Sequence, residues 1–464
     1  MKKTAAALAV LLLLLAAAGA ASALELKAGT IRPFADNILT VTSEKGGTLT
    51  IEAISGTVPL KNPVTKMKIK AGKVEIPWNG LTEGGEPLQS GSITLRATLS
   101  RKGEKKEKTE LRTTIGSPMP AVLCCLPAAQ EFYADGKNIL RIEVAVSTKG
   151  TIELSIAPKD RPEEEVWHYR TVYDSRTPIV IRWDGRGKNR KPCPPGEYMI
   201  RAWSAFRSQY VSTAEITLLK EPLPELKPTV TGNLLPEDLS DDAAVWEALT
   251  APVTVGDGGE GKGLIIMEGK GGRTGRAGTV TCRTVGLAVL ETGSDGWVKV
   301  GAWRQADDRY IEGYVKADKL RVIRPNTRYG AVVDKKTQTI TVYEYGKKVG
   351  TALVSTGLPT GGLTSESRCG VYLLGTRLGE FSEGNHTYSY PIRIDGYNLI
   401  HQAGFARKDG QRDFKEEIVL LGKKASHGCI RVDPRITEES NGINAWWIWT
   451  HMGHDSKIIV MPGD

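Results

Sequence analysis

The sequence predicts a mainly β, multidomain protein, on three observations. Its 464 residues are too many for one hydrophobic core and suit three or four domains of roughly 100 to 150 residues each. With 51 Gly and 24 Pro among many short runs of alternating apolar and polar residues, the chain reads as strands and tight turns rather than long helices. Finally, "WNGLTEGGEPLQSGSITLRA" from Trp78 aligns without gaps on "WDGRGKNRKPCPPGEYMIRA" from Trp183, a constant offset of 105 residues.

In chain order, Lys2 and Lys3 precede an apolar run from Ala5 to about Ala18, and Ala21-Ser22-Ala23 follows. This is the charge, apolar and small-residue order of a secretory signal peptide, so 1–23 is expected to be removed. The run is short for a bilayer span of roughly 30 Å, and no later segment is apolar enough to cross, so no transmembrane segment is expected after cleavage. Export places the mature chain outside the cytoplasmic membrane, in the cell wall or periplasm.

The repeat pairs Trp78 with Trp183, Gly80 with Gly185, Pro87 with Pro192 and Arg96-Ala97 with Arg201-Ala202; "ADNIL" and "ADGKNIL" open the two copies. Each copy ends in an aromatic strand, a Gly/Pro turn and an alternating strand, the pattern of a last hairpin in a small β-sandwich. Two sandwiches are expected, 24–117 and 118–220. They resemble the Ig-like modules of flagellar hook-capping proteins, and a fold of this kind assigns no activity by itself. The Pro-rich, acidic stretch "EPLPELKPTVTGNLLPED" marks a semi-rigid linker over 221–245. Beyond it, Gly296-Trp297 and Gly313-Tyr314-Val315 resemble the recurring elements of a bacterial Src-homology-3-like barrel, placed at 246–325, with a glycine-rich departure over 255–280. Trp297 is expected in that barrel's core.

The remaining segment, 327–462, carries the chemistry. "YGAVVDKKTQTITVYEYGKKVGTALVSTG", "NLIHQAGF", "SHGCIRVD" and "KIIVMPG" occur in that order, and the set resembles the YkuD-type L,D-transpeptidase catalytic domain, a β-rich fold here closed by a short C-terminal helix. The resemblance implies that Cys429 is the nucleophile, that His427 is the usual base and that His401 lines the same pocket and shares the proton work. A thiol near pKa 8.5 is only a few per cent ionised at neutrality, so such a base is required. Ser426 and the small Gly428 suit a tight turn in which the amides of Gly428 and Cys429 form an oxyanion hole. Arg431, a planar cation, is expected either to bind a substrate carboxylate or to organise the cysteine loop, and Ser426 is taken as a second substrate-binding residue. In the usual Thr-Pro-x-Gly element before the next strand, "ESRCGVYLL" keeps plainly only Gly370.

His427 and Cys429 have no second ligand pair at zinc spacing, so neither metal nor cofactor is expected. His451 and His454 sit near a helix end and read as helix-terminal. Trp446, Trp447 and Trp449 cannot share one helix face, so one belongs at a surface or domain contact. Of the five other cysteines, Cys193 is expected to bridge to Cys124 or Cys125 in the exported second sandwich. The net charge of +9 in an exported protein fits contact with anionic wall polymer rather than nucleic acid, and ordinary solubilising charge explains it equally well. The expected activity is third-to-third cross-linking of peptidoglycan stem peptides, which serve as donor and acceptor. An L,D-carboxypeptidase or endopeptidase on the same stems, or a non-catalytic wall-binding protein, are the rivals.

Overall fold

The computed structural model describes residues 24–55, 60–174, 177–232, 234–271, 274–304, 307–358, 366–408 and 410–463; the expected signal peptide lies outside them. The chain is mainly β and multidomain, and no described helix is long and apolar enough to cross a membrane. It divides into two compact units, one of residues up to 118 and one of residues 119–408 and 412 onward.

In the first unit, a three-stranded sheet (Leu24–Ala28, Asn37–Ser43, Gly72–Trp78) faces a four-stranded one (Leu60–Ile69, Gly47–Ser55, Gly91–Ser100, Glu107–Ile115). Alternation sends Leu39, Val41 and Ile76 from one sheet and Leu49, Ile51, Leu95 and Leu99 from the other into a single core. The second unit opens with a similar pair of sheets, of three and five strands, between Val122 and Leu218. The sequence repeat returns as a repeated turn. Trp78 Nε1 donates to the Leu81 carbonyl at 3.1 Å and Trp183 Nε1 to the Arg186 carbonyl at 2.9 Å. Gly80 and Gly185 both take positive φ, 72° and 80°, and a Cβ on Gly185 would stand 2.6 Å from that of Ala134, so only glycine fits.

The expected disulfide does not form: all six cysteines are free. Cys124 and Cys125 are neighbours on one strand and therefore point to opposite faces. Cys125 joins Cys193 in the core of this β unit, whereas Cys124 faces a different core that includes the C-terminal sheet.

Residues 246–325 form a five-stranded sheet (Gly263–Met267, Arg276–Thr281, Ala288–Thr292, Trp297–Trp303, Tyr310–Lys316) and a two-stranded one (Val253–Gly256, Leu320–Ile323). Trp297 is not in the core, contrary to expectation. Val298 and Val300 take the inward positions, and Trp297 lies half-buried beneath the Lys316 ammonium, 4.3 Å from its ring centre. The linker boundary also shifts, because a helix, Asp242–Thr250, begins inside it. Asp241 caps this helix, its carboxylate accepting the amides of Ala243 and Ala244 at 3.0 and 3.1 Å. Val245 and Leu249 pack on Val332 and Ile459 of the C-terminal sheet.

That sheet has eight strands in the order Gly370–Leu373, Lys457–Met461, Tyr329–Asp334, Thr339–Glu344, Lys347–Ser355, Ile430–Val432, Asn398–Gln402, Ile392–Asp395. Tyr345 and Gly346, both at positive φ (46° and 79°), make the two-residue turn between its central strands, the turn whose twist matches antiparallel neighbours. The closing helix Ala445–His451 buries Trp446 and Trp449. Trp447, only partly buried, stacks on His451 with ring centres 4.3 Å apart.

Arg377, fully buried, ties this helix to the preceding β unit. Its guanidinium meets the Glu143 carboxylate and donates to the carbonyls of Trp449 (2.9 Å) and Met452. Removing one member of a buried pair strands the other charge, so Arg377→Met is expected to cost about 3–5 kcal/mol in denaturant unfolding. Arg377→Met combined with Glu143→Leu is expected to recover part of that loss.

Candidate active site

The site is set by strand pairing. Ile430–Val432 runs parallel to Asn398–Gln402, with Ile400 opposite Ile430 and His401 opposite Arg431, and antiparallel to Lys347–Ser355, with Ser355 opposite Arg431. Side chains alternate across a sheet. Ile400, Ile430, Val432 and Val354 therefore enter the core, while Cys429, Arg431 and His401 share the other face. The sequence separates Cys429 from His401 by 28 residues; the parallel register brings the start of the strand that follows Cys429 beside the strand that carries His401.

His401 is buried and its ring is clamped edge-on by Tyr388 and Phe381, at centre separations of 4.9 and 5.6 Å. Its Nδ1 lies 2.7 Å from the Gln402 carbonyl. A carbonyl only accepts, so Nδ1 carries the proton and Nε2 keeps its lone pair. Burial above all, with the Arg431 charge besides, brings the imidazole down to about 4 against the Gln402 hydrogen bond. Burial likewise raises the Cys429 thiol, opposed by the Leu399 amide, which donates to Sγ at 3.4 Å, and by Arg431. Both shifts favour uncharged forms. Shifts in these directions suit general-base activation of a neutral thiol by a neutral imidazole rather than a preformed ion pair.

His427 differs from expectation. It is exposed on the cysteine turn and makes no hydrogen bond, ion pair or ring contact with a described residue. Ser426 is fully buried, and its hydroxyl donates to the Cys429 carbonyl at 2.5 Å and accepts the Gly428 amide at 3.2 Å. It clips the turn and is not available to a ligand. The expected oxyanion pair is corrected at the same time: the Gly428 N–H is committed to Ser426, leaving the Cys429 N–H as the amide without a described partner. Gly428 has φ 109°, and a Cβ there would approach Asn398 Oδ1 to 2.6 Å, so the turn admits only glycine.

Arg431 is buried and paired with Glu417 at 2.9 Å, with Tyr388 5.7 Å beneath its guanidinium. Of its two expected roles, the geometry fits organising the loop, since its carboxylate partner is already inside the protein. Sequence reasoning missed Glu417, Tyr388, Phe381 and Ser367. Ser367 Oγ donates to the Gly428 carbonyl at 2.9 Å and accepts the Gly357 amide at 2.9 Å. A signal for it existed, because Ser367 stands three residues before Gly370, where the family pattern has a threonine hydroxyl. Among the described residues no group of three His, Cys, Asp or Glu side chains is placed to hold a metal.

Residues 328–460 match the family model of YkuD, the L,D-transpeptidase catalytic domain, and this segment is such a domain. Similar solved structures include an L,D-transpeptidase from Mycobacterium smegmatis (15% identity, 46% of this chain and 92% of that one, TM-score 0.25). Another, from Mycobacterium tuberculosis H37Rv, shares 14% identity over 46% of this chain and 99% of that one, with TM-score 0.24. A third, from Xylanimonas cellulosilytica, shares 20% identity over 30% of this chain and 63% of that one, with TM-score 0.21. No curated protein matches the chain in sequence.

Two measurements check the neutral pair. Alkylation of Cys429 by iodoacetamide should climb with pH through 8 and beyond; a plateau between pH 5 and 7 would reveal a thiolate instead. Between about 4 and the ordinary histidine value of 6.5, the unfolded chain binds a proton that folded His401 refuses. Stability should therefore fall as pH drops through that window, by at most about 1.4 kcal/mol per pH unit. Urea unfolding of His401→Gln should lack this contribution.

Proposed function

We propose that the protein is an exported peptidoglycan L,D-transpeptidase that forms third-to-third stem-peptide cross-links through a thioester on Cys429. The observation that carries the reading is the shared face of Cys429 and His401, with the imidazole tautomer locked by the Gln402 carbonyl so that Nε2 is the acceptor. In this reading Nε2 takes the thiol proton as Sγ attacks the carbonyl between the third stem residue and the D-Ala that follows it. The negative oxygen that forms is met by the Cys429 N–H. The proton then passes to the departing D-Ala amine and the thioester remains. A side-chain amine of an acceptor stem attacks it, His401 accepts that amine's proton, and Sγ leaves to recover it.

The base role goes to buried His401, with exposed His427 at the rim. Arg431, held by Glu417, organises the loop. The enzyme would act in the cell wall or periplasm after signal cleavage, without cofactor, metal or nucleic acid. The two upstream β units, read as Ig-like, and the barrel read as Src-homology-3-like would hold the catalytic domain against the wall, where anionic polymer meets their basic charge. Transfer to an amine rather than water needs an acceptor held beside the thioester at high effective concentration, and anchoring among neighbouring strands supplies one.

Incubation of the mature protein with a tetrapeptide stem and excess acceptor, read by mass spectrometry, should give cross-linked dimer above free tripeptide. Cys429→Ala should give neither product and no covalent adduct. His401→Ala should lower the rate by about 10²- to 10⁴-fold, and His427→Ala by clearly less; the reverse order would return the base role to His427. Tripeptide alone, over a wide acceptor range and on intact sacculi, would replace the transferase with a carboxypeptidase.

A further inference from the structure

We infer that Ser367 is a positioning residue whose hydroxyl aims the oxyanion-binding amide of Cys429. The inference rests on the acyl-transfer reading of Cys429, and goes beyond it in naming what holds the donor in place.

A hydroxyl has one proton to give. Ser367, buried at 3% exposure, gives it to the Gly428 carbonyl at 2.9 Å, with the Cys429 carbonyl a distant second at 3.5 Å, and its lone pair receives the Gly357 amide at 2.9 Å. The Gly428 carbonyl and the Cys429 N–H belong to one planar, trans peptide unit, so they point in opposite directions. Drawing the carbonyl inward to Ser367 turns the Cys429 N–H away from it, out of the protein's internal hydrogen bonding. The flanking residue is a glycine at φ 109°, with more backbone freedom than any other residue type. Left alone, that peptide could tip; the hydroxyl is what fixes its plane. The next carbonyl, that of Cys429, is tied by Ser426 at 2.5 Å, so both ends of the nucleophile's backbone are held.

Ser367 is itself anchored from behind. Its carbonyl accepts from Lys335 Nζ at 2.9 Å. The buried ammonium also meets Glu366 at 2.9 Å and Asp308, from the turn between strands Trp297–Trp303 and Tyr310–Lys316, at 3.1 Å. Asp308 further accepts the Cys369 amide at 2.9 Å. The segment 366–369 is thus pinned on both sides of Ser367, and its hydroxyl faces the cysteine turn without slack.

The test compares two reagents on one thiol, in the full mature chain. Acylation by 4-nitrophenyl acetate passes through a tetrahedral oxyanion: Sγ bonds the acetyl carbon, 4-nitrophenolate leaves, and His401 takes the thiol proton. Alkylation by iodoacetamide displaces iodide at a saturated carbon and forms no oxyanion. With the Cys429→Ala background subtracted, Ser367→Ala should slow the ester reaction about 10- to 100-fold while alkylation stays within about twofold. Ser367→Thr, which keeps the hydroxyl, should keep the wild-type ratio of the two rates. The inference is overturned if both rates fall together, if the ester rate of Ser367→Ala stays near wild type, or if Ser367→Thr shows the same altered ratio. A wild-type protein that takes acetyl from the ester but never reacts with stem peptides would sink the cross-linking proposal and leave this one standing.

Discussion

The parallel pairing of Ile430–Val432 with Asn398–Gln402 is the constraint on which the rest depends. Its register, Ile400 opposite Ile430 and His401 opposite Arg431, does two things at once. It delivers Ile400, Ile430 and Val432 to the main core and, because side chains alternate, leaves Cys429, Arg431 and His401 together on the opposite face. A slip of one residue would exchange the faces, burying a guanidinium among valines and turning isoleucines toward the pocket. The hydrophobic core thus enforces the placement of these three side chains, and the two faces cannot drift independently.

The electrostatics of the pocket follow from that burial. Two influences of opposite sense act on the thiol: loss of solvent raises it, while Arg431 and the Leu399 amide lower it, and burial is the larger. The same guanidinium disfavours a charged imidazole, again after burial as the main cause. Arg431 is 2.9 Å from the Glu417 carboxylate, so most of its field is spent locally. Its buried Nε has no described partner. An arginine so placed shapes the loop, and its pull on the thiol is smaller than the effect of burial.

What the sequence made legible was local or strictly ordered. The "SHGCIR" run and the tryptophan turns each lie within a few residues of their partners, and the repeat keeps a constant offset of 105 residues, so spacing alone exposed them. What stayed hidden needed contacts across the fold. His427 and His401 look equivalent as letters; only the register shows one buried and clamped by Phe381 and Tyr388 and the other exposed. Glu417, which pairs with Arg431, stands 14 residues before it, a separation at which no local pattern announces the contact. Strand alternation excludes Cys124 from the expected bridge, a rule that was available for the Cys124-Cys125 pair, and it leaves Cys125 in one core with Cys193, where both thiols are free. The helix Asp242–Thr250 had its capping signal in Asp241, masked by the proline-rich composition just before it.

Three buried polar contacts explain why the second β unit and the barrel behave as parts of the catalytic body. Arg377 joins Glu143 to the last helix. Asp395, paired with Arg368, accepts the Thr281 hydroxyl at 2.7 Å. Asp308 meets Lys335 behind the cysteine turn. Each crosses a boundary that the sequence suggests is a module junction. Buried ion pairs add little net stability compared with apolar packing, but they tolerate few alternative arrangements, since a shifted partner leaves a charge stranded at a cost of several kcal/mol. Apolar contacts alone, such as Leu249 on the C-terminal sheet, would hold the modules together without fixing their registry as narrowly. Polar contacts at the junctions therefore make one body of segments that composition divides by a proline-rich linker, and the pocket around Cys429 inherits its alignment from residues of the barrel and β unit as well as from its own sheet.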